Sequence, residues 1–146
     1  MSDEPRWVSH RVVAKTRPGI VSMVETVAWH DSVVHRIEFV RRDSADQVVL
    51  LADLLYDWET QASCRVRWVL RDVRRVVMDA QWGVACISDG EMLESLELAW
   101  EGAFLDAVLL RPPHGDVAHL RLSFASTGST LDIAALGMSI EPLLEP

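Results

Sequence analysis

Cysteine is nearly missing from this sequence: Cys64 and Cys86 are its only two, and they form neither a CxxC pair nor a dense framework. That excludes a disulfide-stapled scaffold and a cysteine zinc site, and Cys64 reads as a buried free thiol. Lysine is scarcer still, with Lys15 alone among 14 basic residues, a compositional habit rather than a mechanism. No apolar run approaches the roughly 18 residues needed to cross a bilayer. The first residues, Met1-Ser2-Asp3-Glu4-Pro5, lack the basic-then-apolar order of a secretory leader, so a cytoplasmic protein without membrane association is expected. Nucleophile and nucleotide motifs are absent too: there is no GxSxG, HExxH, GxxxxGK[ST] or GxGxxG. Their absence points away from an enzyme, and no cofactor is implied.

What is present is ordinary globular material, 49% hydrophobic and 25% charged over 146 residues. This is enough chain for a single domain with a sizeable core, residues 1–146, of which 1–6 form a loose tail. The formal net charge of −8 is unevenly spread. Residues 1–75 carry 12 Lys or Arg against 11 acids, and residues 76–146 carry 2 against 11, giving halves of +1 and −9. A half that acidic argues against wholesale phosphate binding, and so against nucleic acid, and it suits a basic protein partner. A solvated acidic surface accounts for the same charge without any partner.

The stretch around which the chain is organised runs from Trp29 to Glu59. Val33, His35, Ile37 and Phe39 alternate with Arg36 and Glu38, which predicts a strand with the first four on one side. A polar break over residues 41–46 follows. Then Val48-Val49-Leu50-Leu51-Ala52 is apolar on both sides, as in a strand covered on both faces. The two read as a hairpin whose second strand is central in a sheet. Before it, residues 7–15 suggest an edge strand broken by Arg17-Pro18-Gly19; residues 20–28 read as a short helix or helical turn by the spacing of Ile20, Val24, Val27 and Ala28, although their β-branched content favours a strand. After it, Cys64, Val66, Trp68 and Leu70 alternate with Arg65, Arg67 and Arg71, a half-buried strand with a basic outer stripe. Residues 72–75 read as a bulge or turn before a separate short strand at Val76-Val77-Met78. Further strands are expected at Leu96–Trp100, at Phe104–Leu110, and in a closing hairpin of Leu120, Leu122, Phe124 with Leu131, Ile133 around Thr127-Gly128-Ser129. About eight short strands with little helix give a mainly β, or β-rich α+β, domain built as an antiparallel sheet or sandwich.

Several constellations invite a chemical reading. His30 and Asp31, with His35 nearby, are candidate ligand-binding residues, but no third metal ligand stands at a recognisable spacing. His30 and Asp31 are better explained as fixing the start of the strand through backbone hydrogen bonds, and His35 as a core histidine. Asp53 and Asp57 are about 13 Å apart on an extended chain, too far for a retaining acid/base pair. Cross-strand pairing with Arg65 or Arg67 explains them. Basic residues at 65, 67, 71, 74 and 75 are the best nucleic-acid argument, yet Trp68 points away from Arg65 and Arg67 and offers bases no stacking platform there.

The tetrad Trp29-His30-Asp31-Ser32 followed by an alternating strand resembles small bacterial "WHDS" domains. Val69-Leu70-Arg71-Asp72-Val73 is similar to their later L-x-F-x-x-V strand, and Gly128 to Ala134 to their closing hairpin. The likeness spans roughly residues 25–135 and departs at Leu70, often phenylalanine in the pattern, and in the long connection over residues 80–89. Such domains include immunity proteins of bacterial toxin systems, so the resemblance implies a β-rich fold that binds and blocks a toxin, and it brings no catalytic residues.

The reading of the whole is a non-enzymatic protein-binding domain, such as a toxin-immunity inhibitor. Its acidic surface (Glu91, Glu94, Glu97, Glu101, Asp106) would occlude a basic site. The competing expectations are a small-molecule binder or enzyme with a pocket near His30, Asp31 and His35, and a homo-oligomeric structural module such as a homodimer.

Overall fold

Inward-facing residues recur along the chain with a spacing of two, broken at a few places by a spacing of three, and those breaks shape the fold. The computed structural model describes residues 4–41, 46–79, 91–100, 117–125 and 128–143. After a 3-10 turn (Arg6–Val8) come β1 (Val12–Ala14), α1 (Arg17–Glu25), β2 (Ala28–Arg41), β3 (Asp46–Asp57), β4 (Ala62–Asp79), β5 (Glu91–Trp100), β6 (Ala118–Phe124) and β7 (Thr130–Pro142). The strands form one antiparallel sheet in the order β1-β7-β4-β3-β2-β5-β6, and a further β6–β7 pairing closes it into a barrel. The protein is therefore mainly β, with β3 central between β2 and β4. The strands are longer than the sequence suggests: β4 alone has 18 residues, joining the stretches before and after residues 72–75 into one strand. The expected strand at Phe104–Leu110 lies outside the described residues, as do Cys86 and Trp82.

The barrel interior is filled by side chains. Leu50, Ala52 and Leu54 of β3, Val66, Trp68 and Leu70 of β4, and Leu131, Ile133 and Ile140 of β7 are each 0% exposed. Trp29 lies against Trp68 with ring centroids 4.8 Å apart. Cys64 shares the inward register of Val66 and Trp68 and is half-buried beneath the 3-10 turn, its thiol 3.7 Å from the Val8 carbonyl.

Three of the sheet's register shifts are written the same way, and they help it to close. Val34-His35-Arg36-Ile37, Val73-Arg74-Arg75-Val76 and Leu93-Glu94-Ser95-Leu96 each set two polar residues between apolar ones. The pairing register slips at each of them, between Val34 and Arg36, Val73 and Arg75, and Leu93 and Ser95. An extra residue on one strand lets both flanking apolar residues face inward and bends the strand, which is how a flat sheet curls. Asp72, beside the second bulge, has φ +50.

A larger irregularity occupies the start of β2, where Ala28 pairs with Leu55 but Val33 already pairs with Asp53. Ser32 holds it: its hydroxyl donates to the Ala28 carbonyl at 2.8 Å and accepts from the Leu55 N–H at 3.0 Å, wholly buried. Asp31 takes φ +75 to make the turn. Trp29 donates its indole N–H to the Val24 carbonyl at the end of α1, 3.0 Å away. Thr16 caps the other end, its hydroxyl accepting from the Gly19 N–H, while Arg17 lies 4.5 Å over the Trp100 ring of β5. Thus α1, with Ile20 and Met23 buried, bridges β2 and β5, two strands whose own pairing among the described residues is only Val33↔Met92 and Val34↔Glu91. Gly137 lets β1 lie close to β7: a Cβ there would sit 3.1 Å from the Ala14 carbonyl oxygen, which would have to shift by a few tenths of an ångström. Among the described residues no helix is long and apolar enough to cross a membrane.

Candidate functional site

The bulge at His35 and Arg36 turns both side chains outward, so His35 is not the core residue that simple alternation predicts. It stands half-buried on the outer face of β2, beside Asp53 of β3 and Arg65 of β4, which lie directly opposite each other. His35 Nε2 is 2.7 Å from Asp53 Oδ2, Arg65 Nε is 2.9 Å from Oδ1, and Arg65 Nη2 is 3.2 Å from Oδ2. At 2.7 Å from a carboxylate, Nε2 must carry its hydrogen and donate. The 3.3 Å approach of Arg65 Nη2 to that same nitrogen is then two donors side by side around one anion. Both oxygens of Asp53 are therefore engaged. The Arg65 guanidinium, helped by His35, holds this carboxyl below the ordinary aspartate range against the opposing effect of burial. So stabilised an anion is a poor general base.

Because the folded carboxyl binds its proton less tightly than the unfolded one, the unfolded state takes up more protons as pH falls below about 4, and stability must fall there. The contribution is complete above the unfolded value and lost as pH drops through the folded one. Asp53→Asn is expected to flatten the acid limb of a stability-against-pH curve measured by urea unfolding between about pH 5 and pH 2. An unchanged limb would show that the triad does not couple to folding.

Beside this knot lies a shallow depression of about 300 Å³, lined by Arg36, Glu38, Val49, Leu51, Arg67 and Leu143. Its floor is the apolar outer side of β3, the second face that the run Val48–Ala52 anticipates. Arg36 Nε donates to Glu38 Oε1 at 2.8 Å, whereas Arg67 makes no ion pair among the described residues.

The residues singled out by sequence do not gather in one place. His30 and Asp31 meet each other, Nδ1 to Oδ1 3.1 Å, at the exposed turn of the β2 irregularity. The backbone there is fixed by Ser32 and Trp29 instead. They do not converge with His35, and among the described residues no group of three His, Cys, Asp or Glu side chains is placed to hold a metal ion. Glu91, Glu94 and Glu97 lie along β5, with Glu94 exposed in its bulge. Glu97 faces Arg121 across the β5–β6 ladder, and Arg121 also grips Asp132 at 2.7 and 3.0 Å. Glu101 and Asp106 lie outside the described residues. Asp57 accepts from the N–H groups of Glu59 and Thr60 to shape the β3–β4 turn, on which Trp58 is 56% exposed. Burial pushes the Cys64 thiol up, away from reactivity.

The fold and this face together define a class: a filled antiparallel barrel with a charged, apolar-floored outer surface. Comparison with family models, curated proteins and solved structures finds no match to the chain.

Proposed function

We propose that this is a non-enzymatic binding domain that docks another protein on the outer face of β2, β3 and β4. The observation carrying the proposal is the contrast between a barrel interior packed with side chains and an outer depression with an apolar floor and a charged rim. A central apolar contact ringed by polar groups is how protein interfaces concentrate their energy. Arg67, which makes no ion pair among the described residues, can take a carboxylate, so the complementary segment carries an apolar side chain next to an acid. Asp53 is committed to Arg65 and His35, which suits a surface built to hold its shape.

A second docking surface is favoured by β5. Among the described residues Glu97 and Asp132 both stand against Arg121, and Glu94 is exposed nearby, so the described part of this face keeps a negative excess suited to a basic partner. An immunity-type inhibitor that covers the basic site of a nuclease toxin is the finer form of this reading. The test uses two variants, Leu51→Thr with Arg67→Glu, and Glu94→Arg with Glu97→Arg, in capture of proteins from the source lysate at low and high salt. Docking on β2–β4 predicts that the first variant loses the captured partner, by tenfold or more for about 1.4 kcal/mol, while the second retains it. The opposite result, with release by salt, would move the interface to β5. Retention by both variants would rule out both faces.

A further inference from the structure

A groove of about 760 Å³ separates β1 and the start of α1 from β4, lined by Arg11, Val13, Lys15, Thr16, Arg71 and Asp72 among others. Arg11 and Lys15 are exposed, share the outer side of β1 with Val13 and alternate with Val12 and the inward Ala14. Across the groove Arg71 is half-buried, and its Nε and Nη2 both donate to one acceptor, Ser139 Oγ, at 3.3 and 3.1 Å. Its remaining donors find no acceptor among the described residues. Burial, with Arg11 and Arg67 close by, pulls the Arg71 pKa down, while Asp72 and Glu141 oppose this. None of Arg11, Lys15 and Arg71 makes an ion pair among the described residues. Three cations thus line one groove, Arg11 near enough to act on the partly buried Arg71, with Asp72 and Glu141 offsetting part of the repulsion, and an added anion would offset the rest.

We infer that this groove is a binding site for a small phosphoryl-bearing ligand, with Arg11, Lys15 and Arg71 supplying the charge and the donors. The helix beside it contributes little: Pro18 has no N–H, and the Gly19 N–H is taken by Thr16 Oγ1. Recognition therefore falls to the side chains, and two arginines provide the planar, two-donor geometry that phosphate oxygens accept. The volume is that of a small-molecule site. A long polyanion fits the groove less well, because it must also pass the Asp72 carboxylate in the lining.

The probe is pyrophosphate, titrated into the whole protein against sodium chloride at matched ionic strength, followed by thermal unfolding and by the arginine Nε–H resonances. Saturable binding is expected, with a raised unfolding midpoint and a shifted Arg71 resonance. Arg11→Gln with Lys15→Gln, both exposed positions that leave the core untouched, is expected to weaken it by about tenfold or more, the worth of one or two charge-assisted hydrogen bonds. Arg71→Gln serves as the second variant. The inference is overturned if pyrophosphate acts no differently from chloride, if the double variant binds as tightly as the parent, or if only a single-stranded oligonucleotide saturates the groove.

Discussion

Trp68→Ala is expected to destabilise the protein by about 3–5 kcal/mol, the cost of removing a wholly buried tryptophan from a packed interior. Trp68 is 0% exposed at the centre of β4, between the β3 and β7 residues that fill the barrel, and Trp29 lies against it at 4.8 Å. A domain of this size has a total stability of only about 5–15 kcal/mol, so this one change consumes a large part of it. Trp68→Phe is the informative partner. The indole N–H of Trp68 makes no hydrogen bond among the described residues, so phenylalanine removes volume and the Trp29 contact without orphaning an acceptor. It should cost clearly less than alanine. Urea unfolding measures both, and a double cycle with Trp29→Phe isolates the ring pair, worth about 0.5–1.5 kcal/mol beyond area burial. An alanine variant within about 1 kcal/mol of the parent would mean that the barrel does not rest on this residue.

Much of this interior is legible in the sequence because period two survives along most strands. Cys64, Val66, Trp68 and Leu70 share the inward register, and Leu120 and Leu122 pair with Ile133 and Leu131 in the closing hairpin. What alternation misreads is the bulge. Read with strict period two, Val33, His35, Ile37 and Phe39 belong to one face, and His35 becomes a core residue. The slip after Val34 puts His35 outward, and with it goes the triad with Asp53 and Arg65. The signal was present as a doublet of polar residues between apolar ones, which recurs at Arg74-Arg75 and Glu94-Ser95. Asp53 opposite Arg65 follows from the hairpin register, whereas the third member needed the bulge to be recognised. Closure into a barrel is less legible, because β2–β5 and β4–β7 join strands distant in sequence and no local pattern encodes which edges meet. The groove between β1 and β4 is hidden for the same reason: Arg11 and Arg71 are brought together only when β1 and β4 flank the same end of β7.

The tetrad Trp29-His30-Asp31-Ser32 divides by burial, and substitutions across it should differ even in sign. Ser32→Ala removes the one group that satisfies both the Ala28 carbonyl and the Leu55 N–H in a site with no exposure. Leaving a buried backbone donor unpaired costs about 1–3 kcal/mol, and the loss should appear in urea unfolding together with faster hydrogen exchange at the Leu55 amide. Asp31→Gly acts the other way. At φ +75 a side chain is held in the left-handed region at a cost of roughly 1–2 kcal/mol, which glycine relieves and then partly gives back as chain entropy. The net change should be near zero or stabilising. His30→Ala should leave stability unchanged, since the imidazole is 63% exposed and its polar contact among the described residues is with Asp31. If Ser32→Ala proved neutral and His30→Ala destabilising, the hydroxyl bridge would not be what holds the start of β2. If instead His30→Ala abolished partner capture at full stability, the exposed half of the tetrad would belong to the interface and the buried half to the scaffold that presents it.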